Sequence, residues 1–186
     1  NNPFGACEKC TGLGTFLKVD PDLVLPNKNL SIAEGAIRAS GWYYAEGGIA
    51  QMYYEGLAEK YNFSLKTPIK DLPQKVVDIL LYGTKGEKLL LKRETGTMNG
   101  SYYTDFEGIV NNLERRFRET NSEWMRDEIT TWMNSVKCPD CNGDRLKKET
   151  LSVLVGGINI SDFCKMSVTQ ALDFVDNLKL SQRDQM

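Results

Sequence analysis

Cys7-Glu8-Lys9-Cys10-Thr11-Gly12-Leu13-Gly14 has a counterpart far along the chain, Cys138-Pro139-Asp140-Cys141-Asn142-Gly143-Asp144-Arg145. Each stretch holds two cysteines separated by two residues, with a glycine two residues further on. Four thiols at that spacing can close a tetrahedral zinc site, two ligands on each of two tight knuckles. Thr11 to Lys137, 127 residues, then form an excursion tied off by metal. Cys-x-x-Cys also serves redox chemistry, but a thioredoxin-like pair opens a helix. Here Gly12 and Gly14, or Asn142 and Gly143, follow instead, which favours metal. Two ligand arrangements stay open: one zinc shared by both pairs, or one zinc per pair with the remaining ligands outside this chain. An all-thiolate set points to a structural rather than a catalytic metal.

The rest of the composition narrows the chemistry. The chain of 186 residues contains no histidine, so His-based triads, His general bases and mixed Cys/His sites are excluded. Net charge is −2, which gives no global pull toward nucleic acid. Residues 85–148 nonetheless carry 12 Lys/Arg against 11 Asp/Glu, and residues 149–186 carry 3 against 5, so any such contact comes from a local patch. No apolar run approaches the about 20 residues that span a bilayer, so no membrane partner is expected. Asn1 to Gly5 read as the middle of a longer polypeptide. The fifth cysteine, Cys164, reads as a buried structural thiol.

Periodicity places a helix at Ile49–Tyr61, through Met52, Tyr53, Leu57 and Tyr61. A second opens at Pro73, with Val76, Val77, Leu80 and Leu81 on one face and Gly83 as its stop. Glu87–Arg93 and Tyr102–Phe106 read as strands around a turn-rich tip, with Asn99-Gly100 as its hairpin signal. Glu107–Met133 is amphipathic, either as one helix or as two with a break at Asn121-Ser122. Its expected buried side is Ile109, Val110, Leu113, Phe117, Trp124, Ile129 and Trp132. Alternation over Glu149–Val155 predicts a half-buried strand that turns at Gly156-Gly157, with Ile158–Ile160 as the segment that can pair back. Ser167 with Gln170 predicts a capping box before a helix striped by Val168, Ala171, Leu172, Val175 and Leu178.

Two further groups bear on function. Arg115, Arg116 and Arg118, with Lys92 and Arg93 on a strand and Lys147 and Lys148 after the second knuckle, can engage a phosphate backbone without reading sequence. The competing reading is a solvated face with pairs such as Glu114–Arg118 and Arg115–Glu119. Trp42, Tyr43, Tyr44, Tyr53 and Tyr54 can stack on unpaired bases or serve as core. No G-x-x-x-x-G-K-[ST] loop and no paired catalytic carboxylates are evident, so the residues present no catalytic site.

Residues 1–14, NNPFGACEKCTGLG, resemble a segment of the UvrA family, the damage-sensing subunit of the bacterial UvrABC excinuclease. LSIAEGAI (30–37), DFEGIVNNLERRFRET (105–120), CPDCNGDRLKKE (138–149) and MSVTQALDFVDNLKL (166–180) agree in the same order. The resemblance implies a part of a dimeric, cytoplasmic bacterial ABC-type ATPase of nucleotide excision repair. In the full-length protein it implies ATP with Mg, UvrB, a second UvrA subunit and damaged double-stranded DNA as cofactors and partners. The Walker and signature motifs fall outside this chain, so no enzymatic role carries over to its residues. Another family Cys-x-x-Cys lies upstream, which keeps the second zinc arrangement open.

The expected fold is α+β: a small mixed helix/strand insertion domain at 15–136 on a four-cysteine zinc-knuckle stem. Residues 1–14 are the first knuckle, and 137–186 are the second knuckle with the start of a signature subdomain. The structural zinc ligands are Cys7, Cys10, Cys138 and Cys141. The expected function is DNA-damage recognition by contacting or clamping DNA. The alternative is a structural or protein-interaction module that positions the ATPase halves without touching DNA. A chaperone-like zinc domain of the DnaJ kind ranks below both, because that family repeats its knuckle four times at short spacing.

Overall fold

The computed structural model describes residues 3–95 and 98–179, excepting the side chains of 3, 93–95, 98 and 99. The side chain of Arg93, Gly96 of the expected tip and the polar end 181–186 therefore lie outside the described residues. The chain folds as two compact units: residues 1–16 with 135–186, and residues 17–134. Strand β1 (Thr15–Val19) pairs with β4 (Met133–Lys137), so the chain leaves and re-enters the first unit through two paired strands.

The 17–134 unit has one apolar core. Helix α1 (Pro21–Val24) is a single turn capped by the Asp20 carboxylate, which accepts from the Asp22 N–H at 2.8 Å. Helix α2 (Ile49–Tyr61) buries Ala50, Tyr54 and Leu57, one stripe of an amphipathic helix. It ends where Asn62 turns left-handed, a conformation asparagine tolerates better than most residues. Helix α3 (Gln74–Tyr82) starts after Pro73 and buries Val76, Leu80 and Leu81. Strands β2 (Lys88–Thr95) and β3 (Met98–Asp105) form an antiparallel ladder, with Leu90 opposite Tyr103 and Leu91 opposite Tyr102. Asn99 and Gly100 lie inside that ladder, opposite Glu94 and Arg93, and so are not the turn the dipeptide signalled.

Two helices follow, α4 (Ile109–Glu119) and α5 (Glu123–Thr130). The break falls at Thr120–Ser122 because side-chain oxygens there replace helical partners. The Thr120 hydroxyl accepts from the Ser122 N–H, and the Ser122 hydroxyl accepts from the Met125 N–H. Ile109, Val110, Leu113 and Ile129 are buried as expected. Trp124 is not: it stands 70% exposed on the first turn of α5, because the break shifts the helical phase away from the core.

In the other unit the predicted strand at Glu149–Val155 is absent. Lys148–Leu151 forms one helical turn, α6, and the pairing within residues 149–160 is an isolated bridge, Val155 with Ile158, around Gly156-Gly157. Alternation without a partner strand has no ladder to join. Helix α7 (Ile160–Cys164) follows, and Cys164 is exposed rather than buried. Helix α8 (Val168–Asp176) carries the full reciprocal Ser167–Gln170 capping box. Its apolar stripe is exposed, at 79% for Val168 and 58% for Leu172.

One backbone crossing fixes the 17–134 core. Gly83 has φ +88° and Gly108 φ +90°, and the two segments touch without side chains between them. A Cβ on Gly83 would lie 2.4 Å from the Glu107 carbonyl, and one on Gly108 2.3 Å from the Gly83 nitrogen. The Thr84 N–H donates to the Phe106 oxygen at 2.8 Å beside this crossing. Gly86 also has a positive φ, +91°, but faces open space. Urea unfolding separates the two effects. Gly86→Ala should cost about 1–2 kcal/mol from backbone strain alone, and Gly108→Ala more than about 3 kcal/mol. Equal costs would show that the close approach is not what holds the core.

Candidate metal centre and nucleic-acid interface

Cys7, Cys10, Cys138 and Cys141 converge in the first unit, and their sulfurs all lie within 4.8 Å of one another. The Cys7–Cys138 separation is 3.9 Å and the Cys10–Cys141 separation 3.7 Å. A tetrahedron with about 2.3 Å metal–sulfur bonds places its sulfurs about 3.8 Å apart. All four residues are buried, with Phe16 packed against them. None forms a disulfide.

The two knuckles are copies related by an approximate twofold axis. Thr11, Gly12 and Gly14 have φ of 50°, 84° and 79°, and Asn142, Gly143 and Arg145 have φ of 50°, 97° and 67°. The Leu13 N–H donates to the Cys10 carbonyl, as the Asp144 N–H does to the Cys141 carbonyl. Each knuckle also binds the other: the Cys7 N–H donates to the Arg145 oxygen at 2.9 Å, and the Cys138 N–H to the Gly14 oxygen at 2.8 Å. Lys9 and Asp140 occupy equivalent places and meet at 2.8 Å.

This backbone turns N–H groups onto sulfur. The Gly14 N–H reaches the Cys10 Sγ at 3.2 Å. Burial raises the Cys10 thiol, but the N–H groups of Gly14 and Gly12 and hydrogen bonds with Cys141 and Cys7 bring it down to about 7. Cys141 is pushed up to about 11, by burial first, against the N–H groups of Gly143 and Arg145. Four buried sulfurs at contact distance cannot all carry charge without a cation among them. The donor set, its spacing and its N–H partners fit a four-coordinate metal ion.

The cationic residues singled out in the sequence differ in what they touch. Arg115 is held by Glu107 at 2.7 Å and Glu119 at 2.9 Å, and its guanidinium pulls the Glu107 carboxyl below the usual range. Arg116 is half-buried and donates to the Ser40 carbonyl at 3.1 Å and to the Met125 sulfur at 2.9 Å. Lys92 pairs with Glu59, and Lys147 with Glu8. Arg118 and Lys148 are exposed, and no ion pair or hydrogen bond is found for either side chain among the described residues. The Glu114–Arg118 pair does not form, whereas Arg115–Glu119 does.

The aromatic group divides. Trp42 and Tyr54 are buried, and Tyr44 and Tyr53 pack against the core at its edge. Tyr43 is 61% exposed. Sequence reasoning does not place Phe106 in this group, yet its ring completes a cluster with Trp42 and Tyr53 at centroid distances of 5.4 and 5.6 Å. Its position at a predicted strand end, between Asp105 and Glu107, is the available signal.

Comparison with known proteins matches these features to one group. The family described as the UvrA DNA-binding domain matches residues 20–131. UvrABC system protein A of Clostridium perfringens is 45% identical over 194 residues, covering 100% of this chain and 20% of that protein. The Bacillus subtilis protein of the same name is 38% identical, covering 99% and 19%. UvrA2 from Deinococcus radiodurans shares the fold, with a TM-score of 0.64 over 95% of this chain at 24% identity. The chain spans about a fifth of the length of these relatives. It belongs to the UvrA family, whose DNA-binding domain occupies the greater part of it.

Proposed function

We propose that this chain is a DNA-contacting module of a nucleotide excision repair protein, with one structural zinc at its cysteine centre. The match of residues 20–131 to the UvrA DNA-binding domain carries this reading. The name UvrABC system protein A, borne by the relatives, supports the repair context. Contact is to phosphates, because Arg118 and Lys148 are the cations of the sequence-marked set without a partner among the described residues. The zinc is shared by both pairs, which the convergence of all four sulfurs supports. Its role is to hold geometry: with four protein ligands no position is left for chemistry.

In the longer protein the module serves an ATPase that uses ATP with Mg, pairs with a second UvrA subunit and hands damaged double-stranded DNA to UvrB in the bacterial cytoplasm. No described helix is long and apolar enough to cross a membrane. This chain itself performs no ATP turnover. The alternative, a positioning module without DNA contact, draws on one observation: Lys92, Arg115 and Lys147 are each neutralised by a carboxylate.

Two measurements test these readings. Elemental analysis should find one zinc per chain, and Cys7→Ser and Cys138→Ser should each abolish it. Retention of a full zinc in either variant breaks the shared site. Because thiols must lose their protons to bind a metal, acidification should release it. Labelled duplex titrated over a range of salt should bind with a steep negative dependence of log K on log salt. Arg118→Ala should lessen that slope by about 1, and Arg115→Ala by less. Absence of binding at low salt decides for the positioning alternative.

A further inference from the structure

Two motifs of the sequence, the aromatic group and the arginines of α4, meet in one cleft of the 17–134 unit. The cleft has a volume of about 540 Å³ and is lined by Trp42, Tyr53, Phe106, Asn112, Arg115 and Arg116, with Ile49 at its edge. That size suits a ligand such as a nucleoside. Trp42 and Phe106 are buried behind its wall, and Tyr53 is the half-buried ring among its lining residues. Trp42 meets Tyr53 edge-on at 5.6 Å and Phe106 at 5.4 Å. The Trp42 indole N–H donates to Asn112 at 3.0 Å, and the Tyr54 hydroxyl donates to the Trp42 carbonyl. Arg116 anchors the same loop through the Ser40 carbonyl.

Charge decides what kind of ligand fits. Arg115 is neutralised by Glu107 and Glu119, and Asp105 also lines the cleft. A free phosphate would meet these carboxylates. A neutral heteroaromatic ring would meet the Tyr53 ring, guanidinium donors and carboxylate acceptors together. The Arg116 guanidinium has five N–H donors, of which its contacts to Ser40 and Met125 use two.

We propose that this cleft receives an unpaired nucleobase, stacked on Tyr53 and hydrogen-bonded at its edge by Arg116 and the carboxylates of the rim. The proposal rests on the DNA-contacting reading of this unit and adds to it a preference for bases outside the helical stack. A base already extruded has no stacking left to lose, and base–aromatic stacking is tolerant of sequence.

The test uses the whole 186-residue chain and three labelled duplexes: fully paired, with one extrahelical thymidine, and with one extrahelical abasic residue. The abasic duplex has the same added flexibility without the ring. The expected result is affinity about tenfold higher for the extrahelical base than for the abasic duplex. Ile49→Trp fills the mouth of the cleft from a position that is 74% exposed. It should erase that difference and leave binding of the paired duplex unchanged. Tyr53→Leu, checked by circular dichroism, should do the same. Equal affinity for base and abasic duplexes overturns the cleft proposal while the paired duplex still binds. If wild-type protein binds none of the three, the DNA-contacting reading falls with it.

Discussion

Four sulfurs meeting from opposite ends of a 127-residue excursion are the constraint on which the rest depends. Closing a loop of that order costs about 5 kcal/mol of chain entropy. The first unit has little core of its own with which to meet that cost. Helices α6, α7 and α8 bury no residue, and among the described residues the buried ones of the unit are the four cysteines and Gly14. Small units of this kind are held by metal or disulfide rather than by apolar volume. Histidine is absent from the chain, and the side chains that cluster at this centre are the four thiols. The backbone then supplies N–H groups to sulfur by adopting left-handed φ at matching places in both knuckles.

Much of this is legible because it is local. Cys-x-x-Cys followed by glycine encodes a turn and its pair of thiols within eight residues. Helices α2 and α3 are readable from an apolar stripe, and for α3 from a stop signal at Gly83. The capping box at Ser167 is readable for the same reason. What escapes depends on distant partners. Alternation at Leu151, Val153 and Val155 looks like a strand, but only a neighbouring strand makes it one. Trp124 follows the apolar pattern of α4, yet the Thr120–Ser122 break resets the phase, and no local rule fixes where the new phase points. The carboxylates that meet Lys92 and Lys147 are 33 and 139 positions away in sequence, so the charge map cannot be drawn from composition.

The twofold relation of the knuckles sharpens this contrast. Two sequence copies are visible in the chain, but not that they are reciprocal, each lending a carbonyl to the other's cysteine N–H. Arg145 shows the limit of the copy. It occupies the place of Gly14 with φ 67°, a conformation that costs an ordinary residue more than glycine. Its carbonyl is the acceptor for Cys7, so the strained conformation is retained where the backbone position matters more than the side chain.

The hydrogen bond from the Cys138 N–H to the Gly14 oxygen has a further consequence. It places the departure and return points of the excursion within one hydrogen bond of each other, at 2.8 Å. A tight turn of a few residues can join such points as well as a folded unit can. The four-sulfur cluster therefore constrains where the intervening polypeptide starts and ends, and not how many residues lie between.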